Sequence, residues 1–444
     1  MSLSRVPFIV ILGATGTGKS RLAIELACRF SGEIISADSM QVYKGLKISM
    51  AKVTDEEKRM APHHMMDIAD PNVNFVVHDF RDMALPIIDD IVARNKLPII
   101  VGGTNYYIES ILWNILINNP ESTEENNENK PLLLKEHENG VEPRKKQLKF
   151  DLENEEDEVL YKKLREVDPE RADELHPKNR RRIIRSLEVF ELYGVKHSKL
   201  LKEQRIMGGS FLGGSLRFPN FVLFWLNCDK DVLMERLDRR VDSMLDEGLV
   251  QELLDFHRTY NEERLKCGES ADYTMGVFQN IGLKEFHEYL ILSEEERNGE
   301  KGDALMKQAI KDLKLHTRQY AKRQLSWIQN RLTRAYDREV PPMYTLDCTD
   351  VKQWDDNVLK PASSVLAAIL RGEEPEEKPI NEESRNNRSP SRIPSKCFHC
   401  EMCEKFCVGE KQWESHIRSR KHNALLKRQK LNEHKSPNSA HGLS

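Results

Sequence analysis

The sequence has little net charge, few aromatic residues and no long apolar run. Its formal net charge is −4 at pH 7, and aromatic residues make up 7% of its 444 positions. No apolar stretch approaches the roughly 20 residues of a membrane-spanning helix, which excludes an integral membrane protein and predicts a soluble chain without a membrane partner. The charge balance excludes no nucleic-acid partner, because acidic residues crowd between Glu121 and Glu158 whereas Lys and Arg are abundant after Ser384.

Cysteine is scarce outside one short segment. Four of the eight cysteines lie between Cys397 and Cys407, and the others are scattered. This excludes a disulfide framework and predicts reduced thiols with one metal site. The first apolar strand leaves no room for a separate signal peptide, so we expect a cytoplasmic protein. Because no acidic residue precedes Glu25, import into mitochondria stays open. A nuclear location stays open as well. For the oligomeric state, we expect a monomer by default.

Apolar runs alternate with helical patterns along most of the chain. Strands are predicted at 7–12, 33–36, 97–101 and 221–226, and helices at 20–30, 77–95, 161–193, 231–256 and 303–332. This alternation predicts an α/β fold with a parallel sheet. The predicted segments are 1–120 (core, first part), 121–158 (acidic, poorly ordered insertion), 159–215 (helical insertion), 216–370 (core, second part, and C-terminal helices), 371–395 (linker) and 396–430 (Cys/His module, with a basic tail to 444).

The first strand runs into a P-loop, GATGTGKS, which predicts a P-loop NTPase-like sheet. Its backbone N–H groups and the following helix N-terminus favour an anion, Lys19 adds a charge, and the Ser20 hydroxyl suits Mg²⁺. The sequence therefore predicts a bound polyphosphate. The phosphate-binding residues are Gly13, Ala14, Thr15, Gly16, Thr17, Gly18, Lys19 and Ser20.

The P-loop alone leaves the polyphosphate unidentified. A P-loop enzyme that transfers a phosphoryl group generally has a second strand that ends in a metal-binding Asp. The strand at 97–101 ends instead in Gly102-Gly103-Thr104, and the Asp at a strand end is Asp38, which suits either chemistry. An ATP-dependent nucleic-acid kinase or ATPase therefore stays an alternative, which ATP turnover with RNA would favour.

Eight motifs resemble those of the tRNA dimethylallyltransferases, also called tRNA isopentenyltransferases. They occur in order over most of residues 7–330. They are GATGTGKS (13–20), DSMQVY (38–43), PHHMMD (62–67), VGGTNYY (101–107), RRIIRSLEVF (181–190), ERLDRRVDSMLDEGLVQE (235–252), QNIGLKEF (279–286) and TRQYAKRQLSWI (317–328). The resemblance implies transfer of a dimethylallyl group from dimethylallyl diphosphate to the adenosine immediately 3′ of the anticodon, with Mg²⁺ and release of diphosphate.

The resemblance also implies roles for individual residues. The weakly nucleophilic adenine amine benefits from a positioned base, for which Asp38 is the candidate. The leaving diphosphate gathers charge that the P-loop, Lys19, Mg²⁺ and an Arg would stabilise. Thr15 and Thr104 are further catalytic candidates because their hydroxyls can donate hydrogen bonds. Arg236 and Arg240 are candidates because they match the helix that carries the family's catalytic arginine. The candidates for contact with the tRNA anticodon stem-loop and its flipped bases are Asp38, Ser39, Met40, Gln41, Thr104, Arg181, Arg182, Arg185, Lys322 and Arg323.

The Cys/His module has the spacing of a C2H2 zinc finger. Cys400-x2-Cys403-x12-His416-x5-His422 places two thiolates on a hairpin and two imidazoles on one helical stretch, which suits structural Zn²⁺. Cys397 and Cys400 are an alternative first pair. The module resembles matrin-type, RNA-associated fingers of the eukaryotic family branch. A purely structural or protein-binding finger stays open, as does a third interpretation, an RNA-binding protein with an inactive core, which the intact Lys19, Ser20 and Asp38 disfavour.

Overall fold

The computed structural model describes residues 6–115, 152, 154–206, 214–260, 273, 276–333, 338–381 and 396–433. Most of the predicted acidic insertion at 121–158 lies outside these residues, and so does the second half of the linker at 371–395. The chain forms two compact units. One comprises residues 1–122 and 216–390, and the other comprises 123–215 and 391–444. Each unit is described by itself.

The first unit contains a six-stranded sheet in which all neighbouring strands are parallel, in the order β3-β2-β4-β1-β5-β6. The strands are β1 (Phe8–Gly13), β2 (Gly32–Ser36), β3 (His63–His64), β4 (Leu97–Val101), β5 (Phe221–Asn227) and β6 (Met343–Asp347). The predicted α/β fold class is confirmed. The four predicted strands are present, whereas β3 and β6 were not predicted.

Apolar side chains on both faces of the sheet explain why β1, β4 and β5 are nearly continuous hydrophobic runs. Along β1, Ile9 and Ile11 are buried on one face, and Phe8, Val10 and Leu12 on the other. Because the sheet is covered on both sides, its functional groups must lie at the strand ends.

The described helices alternate with the strands and extend beyond them. In chain order they are α1 (Lys19–Phe30), α2 (Asp55–Met60), α3 (Val77–Ala93), α4 (Asn105–Leu112), α5 (Asp157–Val167), α6 (Pro169–Glu174), α7 (Arg180–Tyr193), α8 (His197–Ile206), α9 (Lys230–Asp246), α10 (Leu249–Tyr260), α11 (Leu283–Leu290), α12 (Glu294–Arg297), α13 (Glu300–Ile328), α14 (Lys360–Arg371), α15 (Glu410–Ile417) and α16 (Arg420–Glu433). Within the described parts of the chain, no helix combines the length and apolar character of a bilayer crossing.

The single helix predicted at 231–256 is wrong in one respect, because the structure forms two helices, α9 and α10. Gly248 separates them with a φ of 97°, a left-handed conformation that cannot continue an α-helix. The start of α9 is capped by Asp229, whose Oδ1 accepts hydrogen bonds from the N–H groups of Asp231 and Val232 at 2.9 and 3.1 Å. This cap fixes the helix that carries Arg236 and Arg240.

The second unit combines the helices α5 to α8 with the Cys/His module. Leu160, Leu164, Ile183 and Leu187 form part of its own apolar core. In the module, β7 (Cys397–Cys400) and β8 (Lys405–Val408) form an antiparallel hairpin that α15 and α16 follow. The Phe406 ring lies edge-on to Tyr161, with the two ring centroids 6.4 Å apart. The module and these helices therefore pack together.

Candidate functional site

The P-loop joins β1 to α1 at the carboxyl edge of the sheet. Thr17 is buried and donates its hydroxyl to the Ala14 carbonyl at 2.8 Å, and Lys19 Nζ donates to the same carbonyl at 2.7 Å. Ser20, at the start of α1, is exposed. Thr15 N–H donates to Gln324 Oε1 at 2.8 Å, so a side chain of α13 contacts the loop. The loop thus presents one lysine and one free hydroxyl beside the helix N-terminus.

Lys19 lies in an enclosed position with both Asp38 and Arg240 nearby. Burial lowers the pKa of Lys19 to about 8; the Asp38 carboxylate partly offsets this effect, and the Arg240 guanidinium adds to it. Burial also lowers the pKa of Arg240, while Glu247 and Asp38 act in the opposite direction. Positive charge is therefore concentrated in a partly desolvated place, where a bound anion would gain the most from it.

Arg236 is held in place by neutral groups. Its guanidinium donates to the carbonyls of Gly16, Cys348 and Thr349 at 3.4, 3.2 and 3.0 Å. Because carbonyls do not neutralise its charge, the guanidinium keeps its full attraction for an anion at the P-loop.

Asp38 follows β2 and is half-buried. Its Oδ1 accepts hydrogen bonds from the N–H groups of Met40 and Gln41 at 2.9 and 3.4 Å, which fixes the carboxylate at the start of a turn. Thr104 stands across from this turn, where its Oγ1 accepts from Ser39 N–H at 2.9 Å and donates to Ser39 Oγ at 3.0 Å. Gln41 is bonded through its side-chain amide to the Met50 and Ala51 carbonyls.

The Gly102-Gly103 pair lets the end of β4 approach this turn closely. A Cβ at Gly102 would lie 2.1 Å from the Ala37 carbonyl oxygen, so no side chain fits there. The Gly103 carbonyl accepts hydrogen bonds from the Tyr320 hydroxyl at 3.1 Å and from Gln324 Nε2 at 2.9 Å. Burial and the nearby Asp38 carboxylate raise the pKa of Tyr320, so its hydroxyl stays a hydrogen-bond donor to Gly103.

One cleft of about 1010 Å³ joins these groups within the first unit. Among the predicted site residues, it is lined by Thr15, Gly16, Gly18, Lys19, Ser20, Asp38, Gln41, Arg236 and Arg240. Thr104 and Ser39 are next to it through their contacts with the Asp38 turn. The structure therefore brings a phosphate-binding loop and a fixed carboxylate into one cavity.

The other basic candidates lie on two helices of different units. On α7, Arg181 and Arg182 are exposed, whereas Arg185 pairs with Glu188 at 3.3 Å. On α13, Lys322 and Arg323 are both exposed.

The finger brings together Cys400, Cys403, His416 and His422, whose ligand atoms lie within 4.8 Å of one another. His422 Nδ1 lies 3.5 and 3.4 Å from the two sulfurs, and His416 Nε2 is buried without a hydrogen-bond partner among the described residues. An orphaned imidazole nitrogen that faces two thiols fits a tetrahedral metal site. Cys397, the alternative ligand, lies outside this cluster.

The single helical stretch predicted for the two imidazoles is wrong, because His416 lies on α15 and His422 on α16. Six residues of continuous helix would turn the second imidazole by about 240° from the first. The break at Arg418 and Ser419 lets both imidazoles reach the thiols, and Ser419 Oγ accepts from His422 N–H at 3.3 Å at the start of α16.

Comparison with known proteins identifies the fold's family. A family model described as IPP transferase matches residues 41–331, and one described as Isopentenyl transferase matches residues 7–63. The chain belongs to the IPP transferase family. A third model, described as a C2H2-type zinc finger, matches residues 398–422. The predicted family and the predicted finger are thus confirmed.

Individual family members are similar in sequence to this chain over nearly its whole length. A tRNA dimethylallyltransferase of Homo sapiens is 45% identical over 433 residues, covering 96% of this chain and 87% of the relative. One of Saccharomyces cerevisiae is 33% identical over 440 residues, covering 95% and 92%. A solved structure, described as a eukaryotic dimethylallyltransferase acting on tRNA, matches with a TM-score of 0.73 at 30% identity, covering 96% of this chain and 98% of that one.

Two residues that line the cleft, Tyr320 and Gln324, were not predicted. Gln324 bridges the P-loop and Gly103, and Tyr320 donates to Gly103. Both lie in the motif TRQYAKRQLSWI. This motif supported the family resemblance, but no role was predicted for either residue. Their spacing of four residues on one helix was the available signal, since it places them on one face of α13.

The lowered pKa of Lys19 predicts an alkaline limit for use of the diphosphate substrate, the donor. Lys19 loses its charge as the pH rises through about 8, so kcat/KM for the donor should fall above that pH, because this ratio reports the free enzyme. The measurement is a pH profile of kcat/KM. In Lys19→Arg the side chain stays charged, so the fall in kcat/KM should move to higher pH. A fall at the same pH in this variant would assign it to another titrating group.

Proposed function

We propose that this chain transfers a dimethylallyl group from dimethylallyl diphosphate to the N6 amine of the adenosine immediately 3′ of the anticodon in tRNA. The observation that carries the proposal is the single cleft in which the P-loop, Lys19 and Arg240 meet the Asp38 carboxylate. The P-loop end suits a diphosphate, and the carboxylate end suits an amine that must lose a proton.

The proposed step breaks the allylic C–O bond of the donor and forms a bond between the same carbon and N6. The proton of N6 passes to Asp38, and diphosphate leaves with the electrons of the broken bond. Lys19, Arg236 and Arg240, with the P-loop amides and the Thr15 hydroxyl, stabilise the charge that grows on the diphosphate. Because this charge is greater in the transition state than in the bound donor, these contacts raise kcat.

Ser20 is the proposed Mg²⁺ ligand. Its exposed hydroxyl stands beside Lys19 at the start of α1, as the P-loop role requires. When bound, the ion would neutralise part of the diphosphate charge. In the finger, the four-residue cluster with its orphaned nitrogen is the proposed site of structural Zn²⁺.

The remaining proposed roles concern the tRNA. Thr104, which holds the Asp38 turn through Ser39, is proposed to meet the acceptor nucleotide, and Ser39, Met40 and Gln41 to read flipped bases. Arg181, Arg182, Arg185, Lys322 and Arg323 are proposed phosphate contacts, which position the tRNA without reading its sequence.

The acceptor position can be tested with matched anticodon stem-loops. One carries adenosine immediately 3′ of the anticodon, and the other carries guanosine there with the rest unchanged. We expect prenylation of the first alone, measured by nucleoside mass analysis. Equal modification of the two, at another adenosine, would refute the proposed acceptor.

The finger is expected to contribute to tRNA binding. Exchanging His416 for alanine removes one proposed zinc ligand, so we expect the KM for tRNA to rise more than kcat falls, because the finger lies outside the cleft residues. Steady-state kinetics with Ser415→Ala, an exposed neighbour on α15, provide the control. An unchanged KM for tRNA would assign the finger to localisation or to a protein partner.

A further inference from the structure

Trp354 covers one side of the P-loop. It follows β6, directly after a short 3₁₀ helix at Val351–Gln353, and only 4% of its surface is exposed. A Cβ at Gly18 would lie 2.7 Å from Trp354 Cη2 and 2.8 Å from Cζ3. The indole is therefore in direct contact with the backbone of the loop, immediately before Lys19.

Two residues of α1 hold the indole in this position. Trp354 Nε1 donates to Glu25 Oε2 at 2.8 Å, and the Arg21 guanidinium carbon lies 4.6 Å from the ring centroid. Arg21 Nε in turn donates to Glu25 Oε1 at 2.9 Å. A bicyclic aromatic ring stacked under a guanidinium is also the arrangement by which proteins hold nucleic-acid bases.

The position of the indole is where a nucleotide base would be expected. In a P-loop that binds a nucleoside triphosphate, the loop amides hold the α- and β-phosphates and the Lys reaches the β- and γ-phosphates. The ribose and base then extend past the first turn of the helix, outside the carboxyl ends of the strands. In this chain Trp354 lies at that edge of the sheet, after the carboxyl end of β6 and against Gly18 and Arg21.

The opposite side of the P-loop is open. Lys19, Asp38 and Gly103 line the cleft, whereas Trp354 is not among its lining residues. A diphosphate at the loop can therefore extend a substituent into this cleft, away from Trp354.

We propose that Trp354, fixed by Arg21 and Glu25, is a specificity-determining residue that excludes nucleoside triphosphates from the P-loop by filling the position of the base. This inference rests on the proposed function, since it explains how a loop of nucleotide-binding type is reserved for a prenyl diphosphate.

The test compares binding of inorganic pyrophosphate and ATP, both with Mg²⁺, to the full chain by isothermal titration calorimetry. In the wild-type protein, we expect ATP to bind about 100-fold more weakly than pyrophosphate. In Trp354→Ala, ATP affinity should rise by about tenfold or more, while pyrophosphate affinity stays within about threefold.

Two further variants keep the test decisive. Because loss of a buried Trp can unfold a protein, Trp354→Phe offers a smaller cavity and should give a smaller gain in ATP affinity. Arg21→Ala removes one of the two contacts that hold the indole but keeps its hydrogen bond to Glu25, so it should raise ATP affinity less than Trp354→Ala does. Equal binding of ATP and pyrophosphate to the wild-type protein would overturn the proposal. A variant at Trp354 that retains pyrophosphate binding without gaining ATP affinity would overturn it too.

The outcomes separate this inference from the proposed function. Calorimetry requires neither tRNA nor a prenyl group, so discrimination against ATP can be measured in a protein that fails to prenylate. Conversely, a protein that prenylates tRNA and binds ATP as well as pyrophosphate would retain the proposed function and refute the role of Trp354.

Discussion

Replacement of Asp38 by asparagine is expected to lower kcat by about 10²–10⁴-fold, the usual contribution of a general base. Asparagine keeps the side-chain oxygen that accepts from the N–H groups of Met40 and Gln41, so the turn should survive. What is lost is the basic oxygen that would take the N6 proton. The affinity for tRNA should therefore stay nearly unchanged, measured by filter binding or by fluorescence anisotropy.

The matched control for this variant is Asp55→Asn, which alters another carboxylate of the same cleft at the exposed start of α2. It should retain most of the activity. If Asp38→Asn also retained most of its activity, Asp38 would not be the base. If it lost tRNA affinity in proportion to its activity, the carboxylate would act in binding.

Replacement of Lys19 by methionine is the second change with a large expected effect. Methionine approximates the length of the side chain but removes the cation from an enclosed place near Asp38 and Arg240. Removing one preorganised donor to a developing oxyanion typically costs about 10²–10³-fold in kcat. We expect a loss of that size in kcat, together with a higher KM for dimethylallyl diphosphate, measured by steady-state kinetics.

Lys47→Met is its control, because Lys47 is an exposed lysine that lines the same cleft. Its effect on donor kinetics should be small. A Lys19→Met variant with a raised KM but an unchanged kcat would show that the cation binds the donor equally in the ground and transition states, and its proposed catalytic role would be refuted.

Local sequence signals predicted the part of the site that lies on β1, α1 and β2. The P-loop is a contiguous motif between a strand and a helix, and Asp38 follows the next strand, so both could be placed without knowledge of distant contacts. The break at Gly248 was not predicted, although a glycine inside a helical pattern can end a helix.

Distant packing determines the rest. The short strand β6 pairs with β5, more than a hundred residues earlier, and its five residues include the polar Thr345 and Asp347. Gln324 reaches Thr15 across 309 positions, and Trp354 reaches Gly18 in the same manner. No periodicity within a short window encodes such contacts, so the partners of these residues could be assigned only from the folded chain.

The most direct test of the account is incubation of the purified protein and Mg²⁺ with unmodified tRNA, supplied with either dimethylallyl diphosphate or ATP, followed by nucleoside mass analysis. The account predicts that adenosine gains the mass of one prenyl group with the prenyl donor alone. ATP consumption without any prenyl gain would contradict it and favour the ATP-dependent kinase.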